Sequence, residues 1–186
     1  MSLIKGLSFF GLCFAFVVIA LGAWTRLVDA GLGCPDWPGC YGFVVFPTTE
    51  AEILLAEQRY PQFPYEINKA IPEVVHRYFA ATLGFIAILL VAFAFKHKLP
   101  TKIKAIASFL LIFICCQGLF GYLTVSLKLL PIIVTGHLFG GFITLSLFFY
   151  LFLSTTNLIK SHQIGHLKFL GSIALIALVI QIFLGA

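Results

Sequence analysis

The sequence predicts an all-α integral membrane protein, a bundle of four transmembrane helices followed by the start of a fifth. Three observations predict it. The chain is 61% hydrophobic and 10% charged, with a mean hydropathy of +1.07, whereas soluble domains carry about a quarter charged residues. Its apolar residues fall in long runs, each near the roughly 20 residues that carry a helix across a ~30 Å hydrocarbon layer. None of the runs alternates over about ten residues as a barrel strand would. Backbone polar groups in lipid must be bonded internally, so the spans are helices.

The first span covers Ile4–Trp24. Lys5 followed by an apolar run and "ALGA" could pass for a secretory signal, but the run exceeds the usual 7–15 residue apolar region and further spans follow, so it reads as a retained helix. A loop over 25–72 comes next, and within it Thr48 to Asn68 reads as a short amphipathic helix with Ile53, Leu54 and Leu55 toward the membrane. The second span is Val74–Phe95, entered just after Pro72, a residue suited to the first helical position. The third covers Ile103–Leu127 and the fourth Ile132–Leu153, entered after Pro131. Residues 1–168 thus form the bundle, and 169–186, from Phe169, open a fifth helix that the chain end cuts off.

The net charge of +5 is a topology signal and gives no reason to expect nucleic acid. Lys5 precedes the first span, Lys96, Lys98, Lys102 and Lys104 crowd the turn after the second, and Lys160 and Lys168 follow the fourth. The 25–72 loop holds Arg59 and Lys69 among Asp29, Asp36, Glu50, Glu52, Glu57 and Glu66. The positive-inside rule puts the N-terminus in the cytoplasm and this loop outside, which in a bacterium is the periplasm.

Five cysteines are no disulfide scaffold. Cys13, Cys115 and Cys116 lie within spans and read as small packing residues. Cys34 and Cys40, in "GLGCPDWPGCYG", fall in the oxidising compartment. Pro35, Pro38 and Gly39 let the segment turn, so a disulfide is expected there, whether structural or redox-active. Zinc is not expected, since the loop has no histidine to complete a site.

His97, His162 and His166 sit in lysine-rich loops and read as solvated residues. His76 and His137 lie within spans, where ionisable groups are costly and signal function. They follow Pro72 and Pro131 by four and six residues, which places both about 6–9 Å below the outer helix ends. Two imidazoles at matching height are what axial ligation of one haem iron requires. Gly84, Gly118, Gly121, Gly136 and Gly140 supply room between helices. Arg77 and Arg26 are candidates to pair haem propionates, or else snorkel to the headgroups. Glu73 lies one turn before His76 on the same face. Either it favours the helix dipole, or it is a carboxylate beside a haem edge, able to move a proton or position a reactive group. A di-iron site would need a second Glu-x-x-His motif, and none is present.

These stretches, "WTRLVDAGLGCPDWPGCYG", "PEVVHRYFAATLG" and "QGLFGYLTV" with "GHLFGG", resemble the haem A synthases, membrane enzymes of cytochrome oxidase assembly. The resemblance implies two pseudo-symmetric four-helix bundles, of which this chain matches the first, with the substrate haem here and a haem b in the second. It implies that His76 and His137 are the haem-iron ligands, that Glu73 is the catalytic acid, and that Cys34 and Cys40 are the paired cysteines of the first outer loop. The implied reaction oxidises the C8 methyl of haem O to a formyl group, through an alcohol and a gem-diol, consuming dioxygen and electrons. No second histidine pair follows, so a second haem site is not expected within this chain, and the closing "QIFLGA" echoes "ALGAWTR" as the opening of a second half. Expected partners are membrane lipid, haem O, haem O synthase, an electron donor, and either a missing C-terminal half or a second copy.

Two other readings compete. A quinone-linked periplasmic thiol oxidoreductase would use Cys34 and Cys40 as catalyst, but the loop around Lys128 lacks a second cysteine pair, and His76, His137 and Glu73 would be idle. A non-catalytic cytochrome b-type electron carrier or haem-holding module would use the histidines and leave Glu73 dispensable.

Overall fold

The computed structural model describes residues 2–156 and 165–184. Among them are six helices, α1 (Ser2–Leu27), α2 (Glu50–Arg59), α3 (Ile67–Lys96), α4 (Thr101–Ser126), α5 (Pro131–Ser154) and α6 (Gly165–Leu184), and no β-strand. Four of these, α1, α3, α4 and α5, are long and apolar enough to cross a membrane. The protein is a multi-pass membrane bundle, as the hydropathy predicts. Lys160 and His162 lie outside the described residues, as do the side chains of His166 and Lys168.

Helix α1 packs on α3 and α5, and α4 packs on α3 and α5. The four spans therefore form a ring in the order α1, α3, α4, α5, with α3 and α5 on one diagonal. The end of the bundle carrying Lys96, Lys98, Lys102 and Lys104 is tightly filled: Ile4, Leu90, Ala94, Ala107, Leu110 and Leu151 are fully or almost fully buried. Phe148 lies so close to Gly11 that a Cβ on that residue would overlap its ring, which brings α5 onto α1. The opposite end is built differently. Beyond Leu110 no residue of α4 is buried, so the core thins toward the end that carries the 28–66 loop.

One boundary departs from the sequence reading. The second span was expected to open after Pro72, but α3 begins at Ile67 and holds Pro72 inside it. Proline there removes one intrahelical bond, a defect a helix tolerates near its start far better than in its middle. Packing supplies the reason the extra turn forms. Gly33 of the loop lies against the Lys69–Ala70 backbone so closely that any Cβ would overlap it, Ala70 and Pro72 are buried, and Thr25 of α1 donates its hydroxyl to the Pro72 carbonyl at 3.3 Å.

The loop is a small folded unit with its own core of Cys34, Cys40, Tyr41, Ala56, Ala70 and Val74. Cys34 and Cys40 form the expected disulfide, with Cα atoms 4.8 Å apart. Inside its turn the Trp37–Pro38 peptide is cis. The Asp36 carboxylate accepts from the backbone N–H groups of Tyr41 and Gly42 at 2.5 and 2.8 Å, and Gly42 takes a φ of +80° that suits glycine. Tyr41 is 2% exposed, donates to the Pro64 carbonyl at 3.1 Å, and meets Tyr60 and Tyr65 edge to face. Burial, followed by the charge of Glu66, pushes its phenol up to about 12, so it remains a neutral donor.

The amphipathic helix expected within 48–68 is α2. Its start is set by a capping box: Thr49 accepts from Glu52 N–H at 3.3 Å while the Glu52 carboxylate accepts from Thr49 N–H at 3.0 Å. The backbone N–H groups of Thr48 and Thr49 bonded to that carboxylate hold it at about 2.

Candidate functional site

His76 on α3 and His137 on α5 meet across the diagonal of the ring. Their ring centroids are 6.5 Å apart with planes at 87°. The matched height read from the two prolines is thus present, although the α3 start is not its measure: His76 lies nine residues into its helix and His137 six into its own. The Nδ1 atom of each imidazole is buried and has no hydrogen-bond partner. A buried ring nitrogen without a partner is costly, and a bound ligand is a direct way to satisfy it.

Each ring lies against a glycine of the neighbouring helix. A Cβ on Gly22 of α1 would come 2.9 Å from Cε1 of His76, and one on Gly121 of α4 would lie 3.7 Å from Cε1 of His137. Gly136 and Gly140 serve the next contact, placing α5 against Phe120 and Gln117 of α4. The glycines therefore do separate jobs: Gly22 makes room for the His76 imidazole, Gly121 lies in ordinary contact with that of His137, and Gly136 and Gly140 close a helix pair.

The spacing fits a shared metal. With imidazole–metal bonds of about 2.0–2.1 Å and a nitrogen-to-centre distance of about 1.1 Å, two imidazoles on opposite sides of one ion have centroids about 6.2–6.4 Å apart. The observed 6.5 Å is close to that value. Among the described residues no group of three or more His, Cys, Asp or Glu could hold a metal. The pair therefore suits an ion whose remaining ligands come from a non-protein group, as a macrocycle provides.

Glu73 is 4% exposed and sits one turn toward the loop from His76. One carboxylate oxygen accepts from the Cys34 backbone N–H at 2.9 Å, and the other pairs with Arg77 Nη2 at 2.5 Å. Arg77 Nη1 in turn donates to the carbonyls of Asp36, Pro38 and Gly39 at 2.9, 3.4 and 2.5 Å. Glu73, Arg77 and the disulfide loop thus form one tied unit on the helix that carries His76. Arg77, considered for haem propionates, spends these donors on the loop. Arg26, considered for the same role, is exposed in the last turn of α1, and its guanidinium makes no hydrogen bond or ion pair among the described residues.

The sequence reading missed what the loop reaches. Trp37 crosses to α4 and meets Tyr122 edge to face at 5.9 Å, and Gly31 lies against Leu129 of the α4–α5 turn. No local pattern marks such contacts. Gly22 was also overlooked, although its place in the first span at the depth of an intramembrane histidine was a readable signal.

Because a Cβ on Gly22 already crowds the His76 ring, Gly22→Val is expected to displace that imidazole while leaving the bundle folded. Circular dichroism should retain full helicity, and any ligand that needs both histidines should bind at least tenfold more weakly. Wild-type affinity in this variant would show that Gly22 is not part of the seat.

These features define a multi-pass membrane bundle with an inward-facing histidine pair under a disulfide-closed loop. The chain belongs to the COX15-CtaA family, described as cytochrome oxidase assembly protein, whose profile matches residues 5–186. It is 41% identical over 177 residues to a protein of Shewanella oneidensis named heme A synthase, covering 94% of this chain and 53% of the relative. It is 28% identical over 190 residues to a protein of the same name from Novosphingobium aromaticivorans, covering 91% of this chain and 54% of that one. The chain thus spans about half the length of the curated relatives it matches. No solved structure matches it.

Proposed function

We propose that this chain forms the substrate-haem half of a haem A synthase, with His76 and His137 holding the iron of haem O while its C8 methyl is oxidised to a formyl group. The observation that carries this reading is the imidazole pair across the α3–α5 diagonal, 6.5 Å between centroids, in a chain of this family. Haem bound there would supply the iron and the methyl to be oxidised. Written with dioxygen as oxidant, each of two hydroxylations consumes one O2, two electrons and two protons, inserts one oxygen atom and releases one water. The resulting gem-diol loses water to leave the aldehyde. The electrons come from a donor protein or quinone, and the haem O from its own synthase.

The chain's residues have three tasks in this scheme. The two histidines would hold the iron of a bound haem and so orient it between α3 and α5. The glycine seat under His76, Gly22, excludes bulk that would tilt that ring. Glu73 is proposed to act as a positioning residue, tying the loop over the site to the helix of His76. The lysine-rich turn between α3 and α4 faces the cytoplasm in this reading, and the disulfide loop faces the periplasm of a bacterial inner membrane. A C-terminal half or a second copy would furnish a haem b.

The test is to extract haems from cells with and without the gene and separate them by chromatography. Haem A should disappear on deletion, with haem O accumulating in its place. Unchanged haem A would sink the proposal. The tied position of Cys34 beneath Glu73 favours this reading over a thiol oxidoreductase, because it gives the disulfide a structural task beside the histidine pair.

A further inference from the structure

The seam between α3 and α4 carries an inference beyond the histidine pair, resting on the reading that the pair binds haem. Ile114, Gly118 and Tyr122 recur every four residues and so share one stripe of α4. Both ends of the stripe are in contact. Ile114 packs at Gly84 of α3, where a Cβ would lie 3.7 Å from its Cγ2, and Tyr122 meets the Trp37 ring at 5.9 Å. Between them Gly118 is exposed, and a Cβ there would find no atom within 4 Å. The stretch from Ile114 to Tyr122 rises about 12 Å along the helix. It lies at the end of the bundle where α4 has no buried residue.

The contact that bounds this stretch on the loop side is not helix to helix. Trp37 belongs to the disulfide loop, and the carbonyls on either side of it, from Asp36, Pro38 and Gly39, are held by Arg77 of α3. Trp37 is thus suspended from α3 and touches α4 through the Tyr122 ring. Trp37 is 44% exposed and Tyr122 42%. Such an aromatic contact is worth about 0.5–1.5 kcal/mol, so it can part at modest cost without uncovering a core.

We propose that the α3–α4 seam is a lateral doorway through which a flat, membrane-borne tetrapyrrole passes between the lipid and the histidine pair, with Trp37 against Tyr122 as its latch. A planar ring is the occupant because it can pass edge-on between two helices that stay in contact below at Gly84 and Ile114. The unpartnered Nδ1 atoms of His76 and His137 mark where its metal centre comes to rest. An acyl chain would use neither nitrogen. The latch makes Trp37 and Tyr122 determinants of how fast the substrate is loaded and released.

The experiment follows the Soret band as the haem-free full chain takes up iron protoporphyrin IX from phosphatidylcholine vesicles. It then follows release to an excess of apomyoglobin. Gly118→Trp, which puts bulk on this stretch, should slow uptake at least tenfold. Trp37→Ala should speed release several-fold while leaving the position of the bound Soret band unchanged. Gly6→Trp is the control: that glycine also has open space around it but sits at the opposite end of the bundle, and the variant should load like wild type. Wild-type uptake in Gly118→Trp, or wild-type release in Trp37→Ala, would overturn the doorway. Should Gly118→Trp fail to fold, Trp37→Ala, which removes only a surface contact, decides. A wild-type chain that takes up no haem would overturn the haem reading itself, a result distinct from a chain that loads normally past a blocked seam.

Discussion

Replacing either His76 or His137 with alanine is expected to abolish stable haem binding, so that both variants purify without a Soret band. The expectation rests on geometry shared by the two residues. They come from helices on opposite corners of the ring, they meet at 6.5 Å between centroids, and each has a buried Nδ1 without a partner. Removing a hydrogen-bond partner of a metal ligand typically costs about 10–100-fold in affinity, so removing a ligand should exceed about 100-fold. The two losses should also be alike. If His76→Ala lost the band and His137→Ala kept it unchanged, the two imidazoles would not share one iron. Helical content should survive in both variants, because the packed core lies at the other end of the bundle around Leu90, Ala107 and Leu110.

The four spans were legible because crossing lipid imposes a length and a composition that few other constraints can mimic. Their mutual depth was legible too, although by a fortunate route. Pro72 suits the first helical position, yet the structure carries α3 back to Ile67. Local propensity favoured stopping at the proline, and tertiary packing of Gly33 on the Lys69–Ala70 backbone outweighed it. The start of α2 was readable from Thr49 and Glu52, a capping box in plain sequence. The disulfide followed from the compartment and from a turn-forming segment between the two cysteines.

What the sequence hid lies at long range. Glu73 was legible as an unusual intramembrane acid, but one of its partners in the chain is the backbone N–H of Cys34, 39 residues away. Arg77 was read toward a bound ligand, whereas it holds three loop carbonyls. A carbonyl is present at every residue, so no residue type announces which three will gather around one guanidinium. The same holds for Trp37 and Tyr122, whose contact depends on the loop's complete path.

Under the proposed function, Glu73→Gln is expected to cut haem oxidation by about two orders of magnitude while the bound-haem spectrum stays that of the wild type. The carboxylate serves two donors at once, Cys34 N–H and Arg77 Nη2. An amide can accept from only one of them and must turn its own NH2 against the other. Breaking a buried pair by removing one partner costs about 3–5 kcal/mol because the surviving charge is left uncompensated. Three carbonyls still hold Arg77, so the lower end of that range applies, about 3 kcal/mol. The loss falls on the loop, whose core at Cys34, Tyr41 and Val74 is separate from the core of the spans. The bundle should therefore stay folded and keep haem while the cover over it loosens. Arg77→Met should weaken turnover similarly, and the double variant should lose less than the sum, since the two residues act through one contact. Glu73→Asp, which keeps the charge but is one methylene shorter, should restore part of the rate. Purified variants compared by spectrum and by haem A produced per bound haem give the answer. Wild-type turnover in Glu73→Gln would remove Glu73 from the mechanism, and loss of haem together with turnover would reduce it to a folding residue.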